Sequence, residues 1–285
     1  MSVHGNDWVP DPTDHAACAA CDGEEVAEVS TVGRNGIAVR NVACVECGLV
    51  FVTPRPTPEA MAEFYRSEYR AEHVEPMQMR DGSMALPGTP EYEDARVYRV
   101  EGLVANALGS GLVRPGDRVL DVGCRRGDVL MAMNRSVPIY MHGVEPDVKS
   151  SQEAELRGIT MHNGVMETFE PGHLRFDQIQ TFNVLNRIYD PLAALVQLRS
   201  WLKSGGRLVI EVPDVDQPHG GLGFFFQYPH LYSFSAQSLS ALLVRAGFRV
   251  VTVGQGKTLV VLAMPDSNAS DTPVPYGREQ LGAEP

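Results

Sequence analysis

The sequence has no apolar run near the roughly 20 residues that cross a bilayer as a helix. Its first residues, M-S-V-H-G-N-D-W-V-P-D-P, show neither a basic segment nor the apolar stretch of a secretory leader. The expectation is a cytoplasmic protein without a membrane partner. Basic residues are in deficit: 24 Lys and Arg stand against 36 Asp and Glu, a net charge of −12. That balance argues against a dedicated nucleic-acid binder, which needs clustered cations to neutralise phosphates. It leaves small neutral or cationic ligands open. Only five cysteines occur in 285 residues, and in a reducing compartment two close pairs point to a metal before disulfides. Neither an internal repeat nor a low-complexity tract is present. Charged residues at 21% and hydrophobic residues at 44% exclude wholesale disorder. The length suits one large domain or a core domain plus a small module.

Four of the cysteines fall into two C-x-x-C pairs, Cys18 with Cys21 and Cys44 with Cys47. Such a knuckle turns two thiolates to one side, and two knuckles complete a tetrahedral S4 set suited to Zn²⁺. Gly48, directly after Cys47, supplies the permissive backbone that the turn needs. Iron in a rubredoxin-like site is the chemical rival, and four free or buried cysteines are the plainer alternative. With all four positions filled by protein, the metal is expected to be structural.

Segments of distinct character follow one another along the chain. Residues 1–13 are a polar lead-in; short β-like runs at 37–42 and 49–53 close on Pro54, Pro56 and Pro58. Residues 59–70 read as an amphipathic helix, 76–90 as a loop and 92–108 as a second helix. From Arg118 onward, strand, glycine turn and helix repeat, the pattern of a mostly parallel sheet covered by helices on both faces. Asp190-Pro191 has the form of a helix N-cap followed by proline at the first helical position. K-S-G-G reads as a turn before the strand R-L-V-I-E-V-P, and Gly247 closes the last helix. The expected division is a zinc-ribbon module at 14–55, a helical linker or lid at 56–112, a Rossmann-like domain at 113–264 and a disordered tail at 265–285.

V-L-D-V-G-C-R-R-G-D-V-L has the layout of a strand, a glycine turn and a helix in which backbone approaches a ligand. Glu145 ends the next strand, where an acid typically takes the two ribose hydroxyls of an adenosine. The alternative is that Asp121 and Glu145 merely cap strand ends.

These motifs resemble class I S-adenosylmethionine-dependent methyltransferases over about residues 92–264. V-L-D-V-G-C-x-x-G-x-x-L is similar to their first motif and G-V-E-P to their second. L-K-S-G-G-R-L-V-I-E-V-P is similar to the segment before their fifth strand, and L-L-V-R-A-G-F-R-V to their late helix and strand. The fold implied is α/β, a Rossmann-like methyltransferase sheet that is mostly parallel with its last strand antiparallel, plus a small amino-terminal zinc ribbon. C-x-x-C-G-L-V-F and P-R-P-T-P-E resemble the zinc module of bacterial methyltransferases that act on sugars. Q-Y-P-H-L-Y-S-F-S and F-N-V-L-N-R-I-Y-D resemble stretches of deoxysugar C-methyltransferases.

The resemblance implies that Asp121, Gly123 and Gly127 shape the cofactor loop, that Glu145 holds the ribose, and that Val165 and Met166 flank the adenine; Arg125 and Phe182 are further cofactor-binding candidates. It places Asn183 near the reacting centre and makes His230 the general base; Tyr228 and Tyr232, which flank His230 in the sequence, are aromatic candidates to orient an acceptor. Arg125 stands where the family's glycine follows the cysteine, Arg187 where a histidine is frequent, Gln227 where it has tyrosine and Pro229 where it has glutamate. The implied function is methyl transfer from S-adenosylmethionine to a small saccharide-like acceptor, a hydroxyl of a sugar, glycan or glycosylated natural product. The alternatives are a deoxysugar C-methyltransferase and a degenerate methyltransferase fold acting as a scaffold. The G-G-L-G-F-F-F run at 220–226 reads as a mobile apolar lid or, equally, a packed edge.

Overall fold

The computed structural model describes residues 17–61, 77–79, 83–86, 89–109, 111–218, 220–227 and 230–268. The polar lead-in, most of the helix expected at 59–70, parts of the 76–90 loop, Tyr228, Pro229 and the tail beyond 268 lie outside the described residues.

Along the chain come β1 (Val26–Val32), β2 (Ala38–Cys44), β3 (Val50–Val52), β4 (Met77–Gln78), β5 (Met84–Ala85) and α1 (Pro90–Leu108). Then follow β6 (Arg118–Val122), α2 (Asp128–Ser136), β7 (Tyr140–Glu145), α3 (Val148–Glu155), β8 (Thr160–Asn163) and β9 (Phe176–Phe182). The remainder is α4 (Pro191–Trp201), β10 (Leu202–Pro213), α5 (Leu222–Phe225), β11 (Tyr232–Ser233), α6 (Ala236–Arg245), β12 (Phe248–Gly254) and β13 (Thr258–Pro265). Seven strands form one sheet in the order β12-β13-β10-β9-β6-β7-β8. Strands β9, β6, β7 and β8 pair in parallel, and β13 lies antiparallel to both β10 and β12. This is the mostly parallel sheet with an antiparallel final strand that the motifs imply.

The chain divides into two compact units, Ala62–Phe182 and the pair of segments Met1–Met61 with Asn183–Pro285. In the first, V-L-D-V is buried throughout, as a strand covered on both faces must be. Leu130 and Met133, three apart on α2, share one helix face and pack with Val119, Ile139, Ala154 and Ile159. Thr89 caps α1 by accepting from the Tyr92 N–H at 3.2 Å, so the helix begins at Pro90, two residues earlier than expected.

In the second unit, β1, β2 and β3 make an antiparallel hairpin sheet that β11 extends, Tyr232 pairing with Phe51 and Ser233 with Val50. Asp190 caps α4 through the Ala193 N–H at 2.9 Å. Strand β10 starts at Leu202, so K-S-G-G belongs to it rather than to a separate turn; Gly205, at φ +76°, bends it there. In the G-G-L-G-F-F-F run Phe225 and Phe226 are buried with Val50, while residues 220–224 are exposed. Arg34 stacks 3.8 Å over the Phe224 ring and donates to its carbonyl at 2.9 Å.

Candidate functional site

The glycine loop begins where β6 ends. Gly123 and Gly127 have φ of +75° and +73°, conformations that L side chains rarely adopt. A Cβ on Gly127 would also lie 2.0 Å from Cδ1 of Ile159. Between them Arg125 takes φ +51° despite its side chain, at a cost of about 1–2 kcal/mol. That conformation aims its backbone N–H at Glu145 Oε2, 2.9 Å away, while the Asp147 N–H meets Oε1 at 2.9 Å. Each carboxylate oxygen therefore keeps a lone pair, the acceptor set that two adjacent ribose hydroxyls require. The Arg125 side chain is exposed.

Charge is concentrated at this loop. Burial drives the Asp121 carboxyl up to about 7, with Gln180 opposing and the Glu145 charge adding to the rise. Burial also raises Glu145, while the two backbone N–H groups that it accepts work against the rise. Met166 is buried in the short helical turn after β8, Val165 is half-exposed beside it, and Phe182 packs on the core at the end of β9.

The two cysteine pairs meet in the other unit. All four Sγ atoms lie within 4.8 Å of one another, with Cys18 and Cys47 3.4 Å apart and Cys21 and Cys44 3.4 Å apart. A tetrahedral zinc with Zn–S bonds near 2.3 Å separates its sulfurs by about 3.8 Å, so the cluster fits that ion. A Cβ on Gly23 would lie 3.1 and 3.2 Å from the sulfurs of Cys44 and Cys21. The Cys18 thiol donates to Cys47 and draws the Cys47 pKa down to about 6, against the effect of burial. The knuckle is tied to α6: Arg245 donates to the Ala19 carbonyl at 3.2 Å and pairs with the Asp22 carboxylate.

The same unit carries the acceptor-side candidates. Asn183 has φ +58°, and its N–H donates to the Glu211 carbonyl at 2.8 Å. His230 is buried, with Nε2 3.3 Å from Nη2 of Arg187. A guanidinium only donates, so Nε2 accepts and the ring proton sits on Nδ1. Asp214, after β10, is buried; its Oδ1 accepts the Asp216 N–H at 3.0 Å.

A methyltransferase-domain family model matches residues 92–253, more than half of the chain. The chain belongs to this methyltransferase family. An uncharacterized 37.1 kDa protein in transposon TN4556 of Streptomyces fradiae is 29% identical over 199 residues, 59% of this chain and 54% of that protein. A tRNA U34 carboxymethyltransferase of Methylococcus capsulatus is 30% identical over 168 residues, 55% of this chain and 50% of that enzyme. This chain thus spans about half the length of the curated relatives it matches. Magnesium protoporphyrin IX methyltransferase of Synechocystis, solved with bound SAH, superposes with a TM-score of 0.53 at 16% identity. That match covers 74% of this chain and all of that one. The family match and the superposition agree on the methyltransferase-domain fold.

Within the methyltransferase, three contributors escape the motif reading. Asn163, at the end of β8, donates to the Glu145 carbonyl at 3.0 Å and ties the segment before Val165 to the end of β7. Asp128, the first residue of α2, accepts from Arg96 at 2.6 Å and from Arg157 at 2.7 Å, and Arg126 lies 3.6 Å away. Arg157 also donates to the Arg126 carbonyl at 3.0 Å, so the loop is held from α1 and from the end of α3. Burial disfavours the Asp128 carboxylate, but Arg157, Arg96 and Arg126 hold its pKa below the ordinary range. Asn186, in the turn after Asn183, is buried. Polar residues at no recognised motif spacing left no signal for any of the three. Among the described residues, no helix is long and apolar enough to cross a membrane.

Proposed function

We propose that the acceptor is a hydroxyl of a sugar, glycan or glycosylated natural product, and that His230 accepts its proton. One observation carries this reading. In the compact unit that carries the Arg187–His230 pair, Oδ1 of Asn183, both amide atoms of Asn186 and Oδ2 of Asp214 are buried without a hydrogen-bond partner. Each such atom costs about 1–3 kcal/mol when left unsatisfied. A hydroxyl-rich acceptor, with its bridging waters, carries donors and acceptors enough to meet them. The net charge of −12 favours an uncharged acceptor over RNA, although one relative acts on tRNA.

S-adenosylmethionine, when bound, supplies an electrophilic methyl. Asp121, Gly123, Arg125 and Gly127 shape its loop, Glu145 accepts from its ribose, and Val165, Met166 and Phe182 flank its adenine. His230 Nε2 takes the hydroxyl proton once the Arg187 N–H releases that nitrogen's lone pair, and Asn183 and Tyr228 orient the acceptor. Cys18, Cys21, Cys44 and Cys47 hold a structural zinc. The residue assignments rest on the resemblance and on the contacts given above.

Radiolabelled methyl transfer to a panel of free sugars and uncharged glycosides, run beside tRNA, tests the acceptor. Saccharide products are expected, and transfer to tRNA alone overturns the reading. Positioned proton transfer is worth about 10²–10⁴ in rate. The His230→Ala enzyme is expected to lose that much kcat while S-adenosylmethionine affinity stays within twofold by calorimetry. An unchanged kcat removes His230 as the base.

A further inference from the structure

The proline-punctuated stretch after the cysteine module, P-R-P-T-P, contains one cation, Arg55, whose contacts are specific. Its Nη1 donates to the Tyr189 carbonyl at 2.7 Å and to the Tyr232 hydroxyl at 2.7 Å. The Tyr232 hydroxyl donates in turn to the same Tyr189 carbonyl at 3.1 Å. The guanidinium lies 3.7 Å above the Tyr189 ring, a stacking that arginine's planar cation suits better than lysine's ammonium. Tyr232 is buried and stacked on Phe234, so the clamp closes on a fixed ring.

Tyr189 follows Arg187 by two residues, and Tyr232 follows His230 by two. The segments that carry Arg187 and His230 are thus joined by their own contact at 3.3 Å, by the Tyr232 hydroxyl on the Tyr189 carbonyl at 3.1 Å, and through Arg55, which bonds to both of those groups. The His230 segment is also sewn to the hairpin sheet, because β11 pairs with β3 and the Val52 N–H donates to the Leu231 carbonyl at 2.9 Å. Arg55 leaves that sheet three residues after β3 ends.

We propose that Arg55 is a positioning residue for the acceptor side: by clamping Tyr189 to Tyr232 it holds His230 in register with Arg187. Arg55 itself touches neither the acceptor nor the donor methyl. The proposal rests on the reading of His230 and Arg187 as acceptor-side groups, but its geometry does not depend on which acceptor is used. Substituting Arg55 is expected to release the His230 ring from its single tautomer and to leave the glycine loop unaffected.

The test uses the full chain labelled with ¹⁵N-histidine. In the wild type the His230 ring nitrogens are expected to report one tautomer, protonated on Nδ1. In Arg55→Ala they are expected to move to tautomer-averaged shifts, and amide exchange over 230–233 and 185–189 to rise at least tenfold. Arg55→Lys restores the charge and hydrogen-bond donors but not the planar group that stacks on Tyr189, so its His230 signals are expected to lie between the two. Zinc content and S-adenosylmethionine affinity by calorimetry are expected to stay within twofold of wild type. Unchanged His230 signals in Arg55→Ala overturn the proposal. Should that variant fail to fold, Tyr232→Phe removes the hydroxyl through which both Arg55 and the Tyr189 carbonyl hold β11, and unchanged His230 signals there overturn it equally. If His230 loses its tautomer in Arg55→Ala while His230→Ala retains full kcat, the clamp stands and the base assignment falls.

Discussion

Asp121 sits at the end of β6 with 2% of its surface exposed, and Glu145 is the charge that acts on it. A carboxyl in that position keeps its proton to about pH 7 in the fold, against an ordinary value of 3.8 in the unfolded chain. Between those values the folded state binds more protons than the unfolded one. The contribution of Asp121 to stability therefore falls as pH rises from about 4 to about 7, and stays low above that. Asp121→Asn keeps the shape and removes the titration. The variant without cofactor is expected to gain on the order of 2–4 kcal/mol relative to wild type between pH 5 and pH 8. Urea unfolding at the two values measures this, and parallel pH profiles for the two proteins would refute it. Asp121 and Glu145 were legible in the sequence because each ends an apolar strand run, one directly before a glycine turn. Asn163, which holds the Glu145 carbonyl, was not: T-M-H-N shows too little hydrophobic contrast to read as a strand, so its last residue had no assigned place.

Elements were readable where a cap or a strong period marked them. Asp190-Pro191 opens α4, and Ser235 and Ser238 bond reciprocally to start α6. Strands β1, β8 and β11 were missed for a physical reason. The first two are half-exposed and polar, and the third is two residues long and exists by pairing with β3, a contact remote in sequence. The same remoteness hides the link between α1, α2 and α3 at Asp128. Its partner Arg96 lies 32 residues away, Arg157 lies 29 away, and no local pattern couples them. Removing the carboxylate leaves Arg96, Arg126 and Arg157 facing one another on partly buried positions. Asp128→Ala is expected to destabilise the fold by about 1–3 kcal/mol and to speed amide exchange over 124–127. The destabilisation is expected to grow smaller as pH falls below the ordinary carboxylate range, because the depressed pKa of Asp128 contributes stability only while it is ionised. A variant as stable as wild type at pH 7 would show that the network adds nothing beyond its cost of ordering.

At the scale of the whole molecule, one compact unit is assembled from the two ends of the chain, Met1–Met61 and Asn183–Pro285. Sequence reading set the cysteine module apart as a ribbon of its own, since C-x-x-C pairs followed by a proline run look self-contained. The structure instead carries its sheet on into β11 and anchors its knuckle through Arg245 on α6. A hairpin sheet this small has too little core to persist alone, and the four sulfurs that gather at its end offer the cross-link a metal would make. Purified protein is expected to carry close to one zinc per chain, and Cys44→Ser to lose it. Chelation is expected to raise amide exchange at least tenfold in β1, β2, β3 and β11, while β6 and β7 keep their protection. Because β11 begins two residues after His230, loss of zinc should disturb the His230 signals before it disturbs S-adenosylmethionine binding. Metal-free protein from a chelator-free preparation would rule out the site. Zinc loss that leaves β11 protected would mean that β3 holds its partner without the metal, and that the knuckle stabilises only its own turn.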